Sequence, residues 1–339
     1  APLDKGVLID HVLSCPWHTA RFDVTRGTVT SPPALDDPPG YEAREEEGKI
    51  LIRKAARETG SFSITEDTHI VILGGGAAGC SAVIGLREAD FRGKITMITA
   101  EKDLPYDRPA LSKGYLDGSE DPKWLPLKGA EYYENMVIEV MTGRKADSLD
   151  TKNHTVHFTD GSTLSYDRLL LATGSTPRTP PIEGTGLDRF FLLRSYGDAR
   201  RIVDSLQKAK SAVVIGASFI GLEVAAALRA RDIQAHVVAP EETPMGKVFG
   251  NRIGGFLQGL HEDNGVRFSL GVMPREVREG KNGHLEVSAG DGTVAEGDLV
   301  IAGIGVDPAV DYLEGTGLVE KGAVAVDDAL RTKAENVWA

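Results

Sequence analysis

Ile70-Val-Ile-Leu-Gly-Gly-Gly-Ala-Ala-Gly-Cys-Ser-Ala-Val-Ile-Gly-Leu86 is the stretch on which the fold turns. Its first four residues are apolar and mostly β-branched, the pattern of a buried strand, and the residues after Gly79 suit a helix. Between them, Gly74, Gly76 and Gly79 satisfy G-x-G-x-x-G, with Ala77 and Ala78 filling the turn. Each glycine answers a physical need. Gly74 permits the tight turn, Gly76 lets the backbone approach a diphosphate, and Gly79 lets helix and strand pack closely. The N-terminus of the helix adds N–H donors and a positive dipole end facing the same anion. A second strand, Lys94-Ile-Thr-Met-Ile98, runs towards Glu101, an acid placed to accept a hydrogen bond from a ribose hydroxyl. A glycine-rich turn of no consequence needs neither strand, helix nor acid, so the unit reads as a dinucleotide cradle.

The pattern recurs. Ala212-Val-Val-Ile215 leads into Gly216-Ala-Ser-Phe-Ile-Gly221 and then Leu222-Glu-Val-Ala-Ala-Ala-Leu228. Here Ser218 replaces the middle glycine, which costs room for the closest backbone approach but brings a hydroxyl that can donate to a phosphate. Gly216, Ser218, Phe219, Ile220 and Gly221 are the candidate contacts. Glu241 follows the next strand, and Ala239-Pro-Glu-Glu-Thr-Pro244 contains no arginine, which favours NAD over NADP, whose extra phosphate calls for a cation. The copies also close alike, on Leu169-Leu-Leu-Ala-Thr-Gly174 and on Leu299-Val-Ile-Ala-Gly303, and Gly303 and Gly305 join the candidate set. Such a duplication predicts an α/β chain with two Rossmann-like, doubly wound parallel sheets, their ligands at the carboxyl ends of the strands.

The rest of the chain sets limits. Its 339 residues, 41% apolar and 26% charged, suffice for two or three separate cores. Fifty acidic against 38 basic residues give a net charge of -12, which repels phosphate backbones, so no nucleic-acid partner is expected. No apolar run approaches the roughly 20 residues of a membrane-spanning helix, and residues 1–10 do not read as a signal peptide; a soluble protein is expected, its compartment open. Two cysteines, Cys15 and Cys80, exclude a disulfide framework, and Cys80 reads as a small buried residue. Short β-type runs such as Lys49-Ile-Leu-Ile-Arg53, separated by the turn-rich 31–40, make residues 1–54 a small all-β module. Residues 55–68 read as linker, 69–184 as the first dinucleotide domain, 185–309 as the second, and 310–339 as a return to the first.

Leu104-Pro-Tyr-Asp-Arg-Pro-Ala-Leu-Ser-Lys113 resembles the P-Y-x-R-P-x-L-S-K segment of the ferredoxin-reductase branch of the FAD-dependent pyridine-nucleotide oxidoreductases. The whole chain is most similar to the apoptosis-inducing-factor-like flavoproteins that carry an N-terminal Rieske domain. The resemblance implies FAD in the first cradle and NADH in the second, with Arg108 and Lys113 approaching the flavin. It also implies that Ala172, Thr173 and Gly174 form the family's A-T-G turn, that Arg178 is its T-P-R arginine near FAD, and that Ala146 contacts adenine through its backbone. Phe219 matches the aromatic that covers the flavin where nicotinamide stacks, and Glu223 the acid that pairs with the flavin-side lysine. Lys113, Glu223 and Phe219 are thus the candidate catalytic group: hydride arrival at the flavin builds negative charge, which a fixed ammonium stabilises and a paired carboxylate keeps oriented. Two features depart from relatives. No cysteine pair follows the first cradle and no thiol stands near Ser112 and Lys113, so electrons must leave the flavin by another route; and Ala239 stands where many relatives have glutamate, leaving the ribose contact to Glu241 or Glu242.

Cys15-Pro-Trp-His18, with Gly27-Thr-Val-Thr-Ser-Pro-Pro33 downstream, resembles the second ligand box of a Rieske domain. There C-x-x-H gives a thiolate to one iron and an imidazole to the other. Cys15 and His18 are the metal candidates, and residues 1–54 the C-terminal part of such a module; a 2Fe–2S cluster also needs a Cys and a His from a C-x-H box expected upstream. Asn336-Val-Trp-Ala339 likewise resembles the strand that leads into the family's A-x-G-D motif, so the chain reads as an excised piece. The implied reaction passes hydride from NADH to FAD, then single electrons to a Rieske-type iron–sulfur centre or another external one-electron acceptor. Two alternatives stay open: a redox-switched signalling flavoprotein with incidental turnover, and the reductase component of a dioxygenase system. A homodimer is also left open.

Overall fold

The computed structural model describes residues 3–31, 34, 37–38, 41–54, 63–280 and 282–339. The run His69–Leu73, apolar from Ile70 onward, is the central strand of a five-stranded, all-parallel sheet. The order is Val337–Trp338, Arg168–Leu171, His69–Leu73, Lys94–Ile98 and Ile138–Met141. A strand covered on both faces must be apolar throughout, and Val71 and Ile72 are both fully buried. Helix Ala77–Glu88 covers one face, burying Gly79, Cys80, Val83, Ile84 and Arg87 at helical spacing. Val71 and Leu73 point the other way, into a cluster with Leu149, Val156 and Phe158 from a small antiparallel sheet. Tyr312, Leu313 and Val337 complete that cluster, so the last segment of the chain returns to the first sheet.

The second sheet repeats the plan. Its order is Phe190–Leu192, Leu299–Ala302, Ser211–Ile215, Gln234–Ala239 and Val266–Leu270, again all parallel. In each sheet the strand before the glycine turn lies between the closing strand and the next strand of its own unit. Helices Tyr196–Leu206 and Phe219–Ala230 bury one face, and the antiparallel strands Pro274–Glu279, Leu285–Ala289 and Val294–Gly297 the other. Two short antiparallel strands, Ser175–Pro177 and Val306–Pro308, carry the chain across and back.

One stretch packs differently from its place in the sequence. Tyr106, Ala110, Leu111, Leu116 and Leu125 follow the first cradle in the chain, yet they belong to the apolar cluster of the second sheet's helices.

The described residues of the N-terminal unit form β-strands and turns, with one 3-10 turn at Leu3–Lys5, as the short β-type runs between turns predict. Val7–Ile9, Val12–Ser14, Arg21–Asp23 and Thr28–Ser31 form an antiparallel meander in chain order, and Tyr41–Glu46 pairs with Lys49–Lys54 as a hairpin. Glu47 and Gly48, both at positive φ, make the tight turn whose twist suits a two-residue hairpin loop. Cys15, Ala20 and Phe22 are its buried core. Of the expected linker, residues 55–62 lie outside the described residues. Thr65 to Thr68 are already tied to the larger unit: Thr65 N donates to Arg92 O at 3.0 Å, and Lys94 N to Thr68 O at 2.9 Å.

Candidate functional site

Two glycines make the first cradle. Gly74 has φ +131°, and a Cβ there would overlap the carbonyl oxygen of Ala172; a Cβ on Gly79 would overlap the carbonyl oxygen of Gly74. Nothing lies near a Cβ built on Gly76, so that backbone faces open space. The space belongs to a cavity of about 600 Å³ at the carboxyl end of the first sheet. Gly74, Gly76, Ala77, Ala78, Glu101, Arg108, Ala146, Ala172, Thr173 and Gly174 all line it, which brings together most of the residues expected around the first dinucleotide. These residues fit FAD: an open glycine backbone at a helix N-terminus, and an acid at the end of the second strand.

The polar wall of the cavity is tightly connected. Glu101 accepts from Tyr106 Oη at 2.6 Å and from Arg108 at 2.8 Å, each carboxylate oxygen taking one partner and keeping acceptor capacity for a ribose hydroxyl. Arg108 also donates to Tyr106 Oη and to the Arg194 carbonyl, both at 2.7 Å. Burial, reinforced by the Glu101 hydrogen bond, pushes the Tyr106 phenol far above its ordinary value, so it stays protonated and donates. Arg178 turns elsewhere. It clasps Asp307 through two nitrogens, at 2.8 and 2.7 Å, on the ribbon of Ser175–Pro177 and Val306–Pro308, with Gly305 beside it and outside the cavity wall. Three arginines do line the cavity, Arg108, Arg144 and Arg194, of which the sequence reading missed the last two; Arg194 Nε donates to Ser175 O at 3.0 Å. Burial, then the neighbouring Arg108, draw the Arg194 guanidinium below its usual value, although an arginine remains cationic.

The second cradle is built the same way. Gly216 has φ +108°, a Cβ there would meet the Gly303 carbonyl oxygen at 2.6 Å, and a Cβ on Gly221 would overlap the carbonyl of Gly216. The Ser218 hydroxyl donates to the Gly303 carbonyl at 3.0 Å instead of standing free for a phosphate. Ile220 packs beside Gly303 in the same turn. Beyond the next strand, Glu241 Oε1 lies 3.5 Å from Lys247 Nζ, while Glu241 Oε2 is buried with no hydrogen-bond partner. A buried carboxylate oxygen without a donor is costly, so a ligand hydroxyl fits there; Glu242 is exposed and has no such atom.

The expected ion pair joins the segment that follows the first cradle to the helix of the second, and neither of its residues lines the first cavity. Phe219 and Glu223, four residues apart, share one face of the helix Phe219–Ala230. Phe219 is 56% exposed and meets Phe249 edge-on, ring centroids 6.0 Å apart. Lys113 Nζ lies 2.9 Å from Glu223 Oε1, and the Ser112 hydroxyl donates to Glu223 Oε2 at 2.6 Å. Lys113 reaches the second unit because Leu111 and Leu116 are packed into that unit's helices. Ser112 is a further residue the sequence reading did not single out, although it is adjacent to Lys113 and buried.

In the N-terminal unit Cys15 is buried and His18 exposed, in a tight loop where Cys15 N donates to Ala20 O at 2.8 Å. Among the described residues no three His, Cys, Asp or Glu side chains gather in a metal-binding group. A Rieske cluster needs four ligands, so Cys15 and His18 alone do not make its site. Cys80 is fully buried, its Sγ 3.6 Å from Tyr133 Oη, and burial pushes the thiol above its ordinary value. No described helix is long and apolar enough to cross a membrane.

Two glycine cradles on two parallel sheets, bridged by an ion pair, define a two-dinucleotide oxidoreductase fold. Residues 68–339 match the family described as pyridine nucleotide-disulphide oxidoreductase, and the chain belongs to that family. Apoptosis-inducing factor 3 of Homo sapiens is 35% identical over 356 residues, spanning 100% of this chain and 58% of that protein. Rhodocoxin reductase of Rhodococcus erythropolis is 37% identical over 272 residues, spanning 80% of this chain and 63% of that protein. Among solved structures, a ferredoxin reductase from Rhodopseudomonas palustris is similar with a TM-score of 0.76 at 31% identity, covering 80% of this chain and 67% of that chain. Putidaredoxin reductase, in its covalent complex with putidaredoxin, has a TM-score of 0.76 at 29% identity, covering 81% of this chain and 67% of that chain. The chain spans about three fifths of the length of the first of these relatives, 58%.

Proposed function

We propose that this protein takes hydride from NADH onto FAD and passes the electrons singly to an iron–sulfur carrier or another one-electron acceptor. The observation that carries the reading is the Lys113–Glu223 ion pair, which joins the segment after the first cradle to the helix of the second. When bound, FAD supplies a centre that accepts hydride and releases electrons one at a time. Gly74, Gly76 and Gly79, with the start of helix Ala77–Glu88, would hold its diphosphate, Glu101 its ribose, and Arg108 and Arg194 its anionic groups. Gly216 and Gly221, with the backbone of Ser218, would hold the diphosphate of NADH, and Phe219 would keep the place where nicotinamide stacks. The Lys113 ammonium opposes the negative charge that reduction brings, and Glu223 keeps that ammonium protonated and aimed.

The Rhodopseudomonas palustris structure is named a ferredoxin reductase, and putidaredoxin reductase is captured in covalent complex with putidaredoxin, which supports a carrier protein as the acceptor class. Similarity to apoptosis-inducing factor 3 runs through the N-terminal unit as well, whereas the bacterial reductase covers 80% of the chain. Residues 1–54 are read as the C-terminal part of a Rieske module, with Cys15 and His18 as two of its four ligands. An anaerobic titration with NADH tests the whole reading. The visible flavin absorbance should bleach with one equivalent of NADH, and a flavin left oxidised by excess NADH would end it.

Coenzyme binding has its own test. The ribose contact is assigned to Glu241 because its Oε2 is buried and without a donor. Glu241→Ala should weaken NADH binding about tenfold, the scale of one hydrogen bond to a charged acceptor, and leave FAD content unchanged. Unaltered NADH affinity in a binding titration would move the contact to Glu242.

A further inference from the structure

We infer that Ser112 is a positioning residue for hydride transfer, holding the Glu223 carboxylate in the orientation that aims the Lys113 ammonium; the inference rests on the function proposed above. Two consecutive residues share one carboxylate. Lys113 Nζ takes Oε1 at 2.9 Å and Ser112 Oγ takes Oε2 at 2.6 Å. An ionised carboxylate only accepts, so the serine is the donor. Its other contact, the Pro109 carbonyl at 3.4 Å, is too long to compete for the proton.

The division of exposure shows which partner can fix the geometry. The Lys113 and Glu223 side chains are 49% and 30% exposed, whereas Ser112 is 4% exposed. An ion pair this open to water holds neither member firmly, and lysine is a long tether whose ammonium rotates freely. The last torsion of a glutamate is broad, so a carboxylate held at one oxygen can swing towards solvent. A short hydrogen bond from the core to the other oxygen removes that freedom.

Ser112 is itself well anchored. It ends the 3-10 helix Arg108–Ser112, whose first residue is bound to Glu101 and to the Arg194 carbonyl at the wall of the first cavity. Glu223 lies one turn into the helix that opens the second cradle. The serine–carboxylate bond therefore ties the framework of one cradle to that of the other at the point where the ammonium must be placed.

The test is a double-mutant cycle on the FAD-loaded protein, with flavin reduction by NADH followed anaerobically by stopped flow. Ser112→Ala should retain FAD and NADH affinity while the limiting rate falls about tenfold, equivalent to about 1.4 kcal/mol. In a Lys113→Met background the same change should cost almost nothing further, because the serine acts through the lysine. A serine that only supported the fold would instead give additive losses or a change in NADH affinity. Should Ser112→Ala fail to retain FAD, Ser112→Cys fills the same buried volume with a much weaker donor and should show the same non-additive loss. An unchanged limiting rate, or losses that add in full, would overturn the role of Ser112. A wild-type flavin that NADH does not reduce would instead bring down the functional reading and the serine with it, whereas a Lys113→Met variant as fast as wild type would overturn the role of the ion pair and of Ser112 while the functional reading stands; these failures appear in different proteins.

Discussion

Gly79→Ala is expected to yield protein without bound FAD and with a markedly lower melting temperature. A Cβ at this position would overlap the carbonyl oxygen of Gly74, and the Ile72 side chain lies 3.3 Å away on its other flank. The obstacle is backbone held in a turn, whose Gly74 N–H donates to Ile98 O at 2.8 Å, so no side chain can rotate away. The helix must move off the sheet, loosening Val83 and Ile84, which are buried against it. Overpacking of this kind costs about 1–3 kcal/mol or more, and loss of bound cofactor removes a further mass-action contribution. Gly85→Ala, on the same helix, is the control: a Cβ there meets nothing within 4 Å, and alanine favours the helix by about 1 kcal/mol. Flavin absorbance per protein, with melting curves in the presence and absence of added FAD, decides the matter. Full flavin content and an unchanged melt in Gly79→Ala would mean that the turn is not the cradle described.

The contrast between these two glycines explains what could be read before any coordinates. Gly74, Gly79, Gly216 and Gly221 are demanded by contacts within one strand–turn–helix unit, so their spacing carries the information, and both parallel sheets were legible from it. The all-β character of residues 1–54 was legible for the same reason, as short runs between turns. Ser112 and Glu223 are 111 positions apart, and what joins them is the packing of Leu111 and Leu116 on helices of the other sheet. No local pattern encodes that, and the pairing of Lys113 with Glu223 came only through resemblance. Arg194 left no signal either: its neighbours Ser195 and Asp198 announce a capping box, but nothing nearby announces a cavity. Resemblance put Arg178 near FAD; the structure gives it Asp307 as its partner, and the arginines on the cavity wall are Arg108, Arg144 and Arg194. For the acid of the second cradle the sequence leaves two adjacent glutamates open, and burial is what distinguishes them: Glu241 carries an oxygen shut away from water, whereas Glu242 is exposed.

Lys113→Met should slow flavin reduction by saturating NADH by roughly 10- to 100-fold, with NADH affinity and FAD content little changed. The magnitude follows from charge and exposure. A unit charge about 4 Å from the site of reduction, at an effective dielectric near 20, is worth about 4 kcal/mol. Lys113 is half exposed, so water screens part of this and about 1.4–2.7 kcal/mol remains. The effect falls on the rate because the charge it opposes exists only once hydride begins to arrive; a contact equally strong before and during transfer would alter binding instead. Methionine preserves most of the stem that packs along the 3-10 helix, so the fold should survive. Glu223 also keeps its Ser112 hydrogen bond and its access to water, which spares it the cost of a stranded buried charge. Lys113→Arg should recover only part of the rate, since a planar guanidinium keeps the charge but spreads it and cannot take the same geometry against Glu223. If the methionine variant reduces its flavin as fast as wild type in anaerobic stopped flow, the Lys113–Glu223 pair is structural, and the charge that steadies the reduced flavin must come from the cations of the cavity wall, Arg108 and Arg194 among them.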